Sequence, residues 1–540
     1  MPGRLASIHT APGAAAPPGG GVLVWLSAVV ALAASPLAAQ QSFDVLIRGG
    51  RVLDGTGNPW YYADLGVTGD RIVAVGTLAN ARAATVIDAT GLVVSPGFID
   101  AHSHSGGALA TPELRGAVAL LTQGITTVLV NPDGGGPIDL ARQKEGYGGG
   151  LGVNVALMVP HGSVRGAVLG SADRAPNAGE LDRMRALVRA GMEAGAFGLS
   201  SGPFYAPGSF SKTDELVELA KVAAAYGGAY SSHIRDESDY SIGLVAAVDE
   251  VITVAREARL PGVVTHIKAL GPRVWGYSAA LVQRIDRARA QGIEVYADQY
   301  PYDASQTGFA AALLPRWAEV GGPDALTRRL ADPETLARIR AEVVQNLDRR
   351  GGAARIRFGG AGEHAGRTLA DVAAARKQDP VDAAFDILRR GGGGGSIISF
   401  NMHEDDIRLL MKQPWTMTAS DGELPRMDVG FPHPRAYGTF PRKLAKYVRE
   451  ERLIDLEHAV RSMTSLPATV FRMADRGVLR AGAMADIVVF DLDRIADRAT
   501  YDQPHQLSEG IVHALVGGRL SVHDSRVTGA LNGRVLDRRH

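Results

Sequence analysis

The chain has 540 residues, with 57 basic and 57 acidic side chains, 66 glycines, 28 prolines and no cysteine. A hydrophobic content of 46% supports a large core and excludes wholesale disorder, while the balanced charge argues against a general nucleic-acid binder. Without cysteine, disulfides, thiol nucleophiles and Fe–S clusters are excluded, and any metal must be held by histidine and carboxylate side chains.

Residues Val22 to Ala34 form one apolar run, shorter than the roughly 20 residues a membrane span needs. The small residues Ser35 to Ala39 follow it, and residues 1–39 read as a signal peptide, so the protein is expected to be exported, periplasmic or secreted. An uncleaved N-terminal anchor is the other reading. No later stretch is apolar and long enough to span a bilayer, so no span is expected in the mature chain.

From Asp44 the text runs DVLIRGGRVLDGTG, DLGVTGDRIVAVG and TVIDATGLVVSPG, β-branched segments broken by glycine-containing turns, which predict hairpins. A block of the same character, GVLRAGAMADIVVFDLD and IVHALVGGRLSVHD, closes the chain. One small β-sandwich built from both termini, residues 40–97 and 475–540, is expected; two separate caps would be the other arrangement.

The stretch between, residues 98–474, alternates strand-like with helix-like text. Strand-like segments lie at 98–102, 126–133, 153–162, 195–202, 229–234, 262–268, 293–302 and 415–422, and amphipathic stretches such as DELVELAKVAAAYGG separate most of them. Eight buried strands with intervening helices predict an α/β chain folded as a (β/α)8 TIM barrel. Residues 306–396, after strand seven, are too long for a loop and are expected to form an inserted subdomain over the barrel mouth.

In such a barrel the active site gathers at the C-terminal strand ends, and there the sequence places His102 and His104, Asp133, His161, His233, His266 and Asp421. His102 and His104 are two apart on an extended strand and face the same way, suited to chelating one ion. No lysine ends strand four, so a carbamylated lysine bridge is excluded; Asp133 is the expected bridge between two ions, with an Asx-turn before Gly134 as its plainer role. Asp421 is the natural general base, taking a proton from water and delivering it to the leaving nitrogen, with a helix N-cap as the alternative. Arg235, Lys268, Tyr300, Tyr302, Ser305 and Arg435 are candidate substrate contacts, as is His161. Lys268, two residues past His266, shares that ligand's face, and Arg435 could grip a substrate carboxylate through paired hydrogen bonds. For Arg235 a salt bridge to Asp236 or Glu237 is as plausible.

At these residues the chain resembles the amidohydrolase superfamily, and within it the N-acyl-D-amino-acid deacylases (D-aminoacylases). The motifs PGFIDAHSHSG, GITTVLVN, GAFGLSSGPFYAPG, YSSHIRDES, VTHIKALG, YPYDAS, ASDG with HPR, and GAMADIVVFD carry the resemblance from about Asp44 to Asp524. It implies a barrel with a two-ended β-sandwich and zinc-dependent hydrolysis of an N-acyl bond. By position, His102 and His104 match the first metal pair and His233 and His266 the second; Asp421 matches the base; Lys268, a tyrosine of YPY, Ser305 and Arg435 match the groups holding the substrate carboxylate. One departure stands out: the family's cysteine ligand at the end of strand two is Asp133 here, a harder ligand that relaxes selection for Zn²⁺ toward Mn²⁺ or a similar ion, with one or two ions bound.

The expected activity is therefore metal-dependent hydrolysis of a small-molecule N-acyl, D-configured amino acid. A dipeptidase, cyclic-imide hydrolase or dihydroorotase-like activity is the rival, and a non-catalytic relative of the fold a more distant one. A homo-oligomer is compatible with the sequence.

Overall fold

The computed structural model describes residues 41–390 and 394–538. The signal peptide expected over residues 1–39 lies outside them.

Eight parallel strands form the central ring: Phe98–Asp100, Ile125–Val130, Asn154–Leu157 with Val159–Pro160, Gly198–Ser201, Ala229–Ser232, Gly262–Val264, Val295–Gln299 and Thr416–Thr418. Each pairs with the next, and the ring closes where Ser103 bridges Gly422 in parallel. At that seam the Asp421 amide donates to the His102 carbonyl and the His104 amide to the Gly422 carbonyl, both at 2.9 Å. The strands are buried on both faces, which is why they read as nearly continuous apolar runs. In strand two, Leu129 points into the barrel with Ile99, Ala156 and Met417, while Val128 and Val130 face the helix layer.

Strands from both ends of the described chain share one nine-stranded sheet, so the two blocks do not form separate caps. Ser42–Val52 pairs with Tyr61–Thr68 on one side and with Arg82–Asp88 and Val93–Pro96 on the other; Val93–Pro96 then pairs with Ile487–Phe490 from the C-terminal block. Arg71 bridges Met484, just ahead of Ile487–Phe490, so the sheet curls back over a core of Val45, Ile47, Leu65, Ile487, Val489 and Leu515. Beyond Arg526–Val527 the chain returns to the barrel, where Gly533 and Val535 bridge Leu151 and Val155.

The insertion has its own three-stranded sheet, with Ser305–Gly308 and Ile356–Phe358 both antiparallel to Ser396–Ser399. Its helices surround a core containing Phe309, Leu313, Ile339, Val343, Phe385 and Ile397. The longest, Pro333–Arg349, starts on an Asp332 N-cap whose carboxylate accepts the Thr335 amide at 2.9 Å, with proline at its first position. Ile339, Val343, Asn346 and Leu347 make its buried stripe.

After strand eight the chain enters Arg435–Arg442 and a π-helical stretch, Lys443–Glu450. Lys443 is buried, and its ammonium donates to Thr418 Oγ1 (2.9 Å) and Ser462 Oγ (2.8 Å). Burial lowers its pKa to about 7 from 10.5. Between those values the unfolded chain binds more protons than the folded one, so stability rises with pH across this window and is lost as pH falls toward 7. Lys443→Met should therefore melt above the wild type at pH 7, with the gap closing by about pH 10 as measured by thermal denaturation. Thr418 and Ser462 already bond each other at 3.0 Å and are not orphaned by the change.

Candidate metal centre and catalytic cleft

Three candidate site residues, Asp133 (φ 56°), His266 (φ 35°) and Asp421 (φ 49°), leave the strand ends through left-handed backbone, as does the neighbouring Asn131 (φ 62°). Non-glycine residues rarely adopt this conformation, and its concentration at one rim marks a place where position outweighs local comfort. The turn after strand two shows how the chain permits it. Gly134 is left-handed at φ 70°, and a Cβ there would meet the Gly162 nitrogen at 2.9 Å and the Gly202 nitrogen at 3.0 Å. Three strand ends thus approach closely and hold Asp133 over the ring.

The carboxylate of Asp133 faces four imidazoles. Its Oδ1 lies 3.4 Å from His102 Nε2 and 3.6 Å from His266 Nε2; its Oδ2 lies 3.4 Å from His104 Nε2 and 3.8 Å from His233 Nδ1. Asp421 Oδ1 completes the group at 3.1 Å from His104 Nε2 and 3.3 Å from His102 Nε2. Behind this layer, Asp298 accepts the His266 amide at 2.6 Å, and Asp100 accepts the Ser420 amide at 2.8 Å, tying strand one to the turn that carries Asp421. Burial pushes the Asp100 carboxyl up to about 6.

The donor set fits a divalent cation. Among the described residues, both ring nitrogens of His102 and of His233, together with Asp133 Oδ1, are buried without a hydrogen-bond partner, an expensive arrangement for polar atoms unless something else binds them. Two overlapping groups, His102 with Asp133, His266 and Asp421, and His233 with Glu237 and His266, keep their ligand atoms within 4.8 Å of one another. Nitrogen and oxygen donors without sulfur suit zinc, manganese and similar ions. Burial lowers the His233 pKa to about 3, leaving the neutral ring that ligation requires. For His104, burial opposes the charge but hydrogen bonds to Asp133 and Asp421 outweigh it and raise its pKa to about 9. Asp421 is buried too, yet the Arg435 guanidinium, with His266, holds its carboxyl well below the usual range and keeps it ionised. No helix follows Asp421, so it does not serve as an N-cap.

The group opens into a cavity of about 620 Å³, whose wall includes Lys268, Tyr300, Ser305 and Arg435. Arg435 Nη1 donates to Asp421 Oδ2 at 2.6 Å, and Ser305 Oγ donates to Asn401 Oδ1 at 3.0 Å. Lys268 Nζ lies 2.7 Å from His266 Nδ1 and pairs with Glu237. Strand six stops at Val264, so Lys268 reaches His266 through a turn and not through the two-residue alternation of a strand.

Three expected substrate contacts sit elsewhere. His161 is the first residue of helix His161–Leu169, and its ring turns away to Glu215 Oε1 at 2.9 Å, in a buried cluster with Arg165. Arg235 is taken by Glu250 on the next helix (2.8 Å from Nη2), a different acid from the two the sequence suggested. Tyr302 points toward the Pro434 carbonyl, 3.5 Å from its hydroxyl, and does not line the cavity.

Two residues of the cleft were not among the expected site residues: Glu237, considered only as a salt-bridge partner for Arg235, and Tyr205. Glu237 is buried; burial opposes its charge, but Lys268, with His233 and His266, holds it ionised. The signal was its place four residues after a strand-end histidine. Tyr205 lies with its ring 4.6 Å from that of His233, and its hydroxyl bonds Thr307 Oγ1 of the insertion at 3.1 Å; the PFYAPG turn after strand four was the cue.

Residues 150–522 match the model of the amidohydrolase family. An N-acyl-D-glutamate deacylase from Alcaligenes xylosoxydans xylosoxydans is 38% identical, over 92% of this chain and 97% of its own. A D-aminoacylase from the same organism is 35% identical, over 92% and 98%. Among solved structures, the N-acyl-D-glutamate deacylase from Bordetella bronchiseptica, complexed with zinc and a phosphonate mimic of the tetrahedral intermediate, aligns with a TM-score of 0.78 at 37% identity, over 92% of this chain and all of that one.

Proposed function

Because this chain belongs to the amidohydrolase family, in the group that contains the D-aminoacylases and N-acyl-D-glutamate deacylases, we propose that it hydrolyses the amide bond of N-acyl-D-amino acids, releasing a carboxylate and a free D-amino acid. The observation that carries this reading is the meeting, in one cavity, of an ionised carboxylate, Asp421, a converging His/Asp ligand set and two cations, Lys268 and Arg435.

His102, Asp133, His233 and His266, with His104 beside Asp133, would hold the cation, zinc by preference with manganese an alternative suited to the carboxylate at position 133. When bound, a divalent ion polarises the amide carbonyl and makes water acidic enough to be deprotonated near neutral pH. Asp421 takes the proton of the attacking water and passes it to the amide nitrogen as that bond breaks. Arg435 fixes Asp421 through Oδ2, which leaves Oδ1 turned to the His102 and His104 side where the water must arrive. Tyr205, half-buried with a hydroxyl that stays protonated, is placed to donate to the carbonyl oxygen as charge develops on it. Lys268 and Arg435, with Tyr300 and Ser305, receive the substrate's α-carboxylate, which a cyclic imide lacks; two cations on the wall favour the N-acyl amino acid over that rival.

No helix among the described residues is long and apolar enough to cross a membrane. The apolar run at 22–34 and the small residues after it support export with removal of the leader.

The test is hydrolysis of paired N-acetyl-D- and N-acetyl-L-amino acids by the metal-loaded protein recovered from an exported fraction, with its N-terminus sequenced. Turnover of the D series, lost on chelation and restored by a divalent ion, with an N-terminus near Gln40, is expected. Turnover of the L series alone, or of neither, overturns the substrate assignment; an intact Met1 overturns leader removal.

A further inference from the structure

Four arginines among the described residues are almost wholly buried: Arg165, Arg350, Arg435 and Arg476. Three face a carboxylate, Glu215, Asp421 and Asp486 respectively. Arg350, 1% exposed, forms no ion pair among the described residues. Its Nη1 donates to Ser399 Oγ at 3.1 Å, its Nε has no partner, and its guanidinium lies 6.0 Å from the Tyr240 ring centre. A guanidinium keeps its charge at any pH a protein meets, so burying one without a counter-charge is costly.

Arg350 lines the same cavity as Asp421. The other two cations there are neutralised, Lys268 by Glu237 and Arg435 by Asp421, while the rim acid Glu423 is 3.4 Å from Gln306 Nε2. Arg350 arrives from the insertion, at the C-terminal end of helix Pro333–Arg349, whose terminal carbonyls make a cation tolerable there. Gly271 packs so closely beneath that a Cβ on it would stand 2.1 Å from the Arg349 carbonyl oxygen, which fixes the base of the side chain. A rigid, unneutralised cation on a cavity wall is suited to a second anionic group of a ligand.

Resting on the deacylase reading above, we propose that Arg350 binds a carboxylate on the substrate's side chain, so that the preferred substrates are N-acyl-D-amino acids with acidic side chains. The α-carboxylate is assigned to Lys268 and Arg435, which touch His266 and Asp421; Arg350 touches neither and belongs to the far end of the substrate. Replacing the side-chain carboxylate by its neutral amide removes the charge at nearly constant shape, and a site built for the charge rejects the isostere strongly.

The test compares kcat/KM for N-acetyl-D-glutamate with N-acetyl-D-glutamine, and N-acetyl-D-aspartate with N-acetyl-D-asparagine. The wild type should favour the acid at least about 100-fold in one pair. Arg350→Met should collapse that ratio to within about threefold, Arg350→Lys should restore part of it, and the metal-loaded Arg350→Met protein should melt no lower than wild type, because a costly buried charge has gone. Equal wild-type turnover of acid and amide overturns the inference and leaves the deacylase reading standing. A parallel loss on acid and amide in Arg350→Met, or a melting point several degrees lower, makes Arg350 a structural or α-carboxylate residue and also overturns it. Failure of the wild type on every N-acyl-D-amino acid sinks the deacylase reading itself.

Discussion

Asp421→Asn should lower kcat about 1,000-fold or more, some 4 kcal/mol of transition-state stabilisation, while bound metal and melting temperature stay near wild type. The substitution keeps the shape of the side chain, and asparagine tolerates the left-handed backbone that position 421 requires (φ 49°). Its carbonyl oxygen can still accept from Arg435 Nη1. What it cannot do is hold a proton between the attack of water and the departure of the amine. His102, Asp133, His233 and His266, with His104 beside Asp133, remain to retain the ion. Initial rates, elemental analysis and thermal melts on one preparation decide the matter; activity within tenfold of wild type removes Asp421 from the proton path.

Asp133→Ala should cut bound metal per chain to less than half and kcat/KM by at least about 100-fold, since loss of residues merely supporting a ligand already costs about 10–100-fold. Among the described residues, this carboxylate is the group that faces all four imidazoles, with one oxygen toward His102 and His266 and the other toward His104 and His233. Without it the four rings converge with less negative charge to hold a dication. Alanine strains the left-handed backbone at φ 56°, so Asp133→Asn, which suits that backbone, separates charge from conformation and should lose metal as well. An unchanged metal count in both variants would leave Asp133 a turn residue only.

The barrel was legible because parallel strands buried on both faces leave apolar runs such as ITTVLV, and because catalytic side chains must lie where those runs end. The H-x-H pair does meet on Asp133, but not by strand alternation: strand one stops at Asp100, the backbone bends at Ala101, His102 and His104, and only Ser103 bridges Gly422. What pattern could not supply is which way a residue turns once the strand has stopped. His161 begins a helix and swings to Glu215; Arg235 finds Glu250 fifteen residues on; Tyr302 passes the cavity altogether. Lys268 does reach His266, but by a turn that alternation does not describe. Glu237 and Tyr205 read as ordinary loop residues until tertiary packing brings them to His233. Arg350 is the extreme case, an arginine in an arginine-rich helix end whose burial depends on a subdomain with no local signature of its cavity.

That subdomain packs around its own nucleus and lends the cleft only a few side chains, whereas the cage and the proton carrier stand on the ring. On the proposal above, recognition of the substrate's far end falls to the insertion, while the α-carboxylate contacts and the reaction stay with the ring, all within one compact unit. A lineage can retune what it accepts by altering residues 305–399 without re-evolving the chemistry, and a laboratory can exploit the same division by grafting that stretch between homologues.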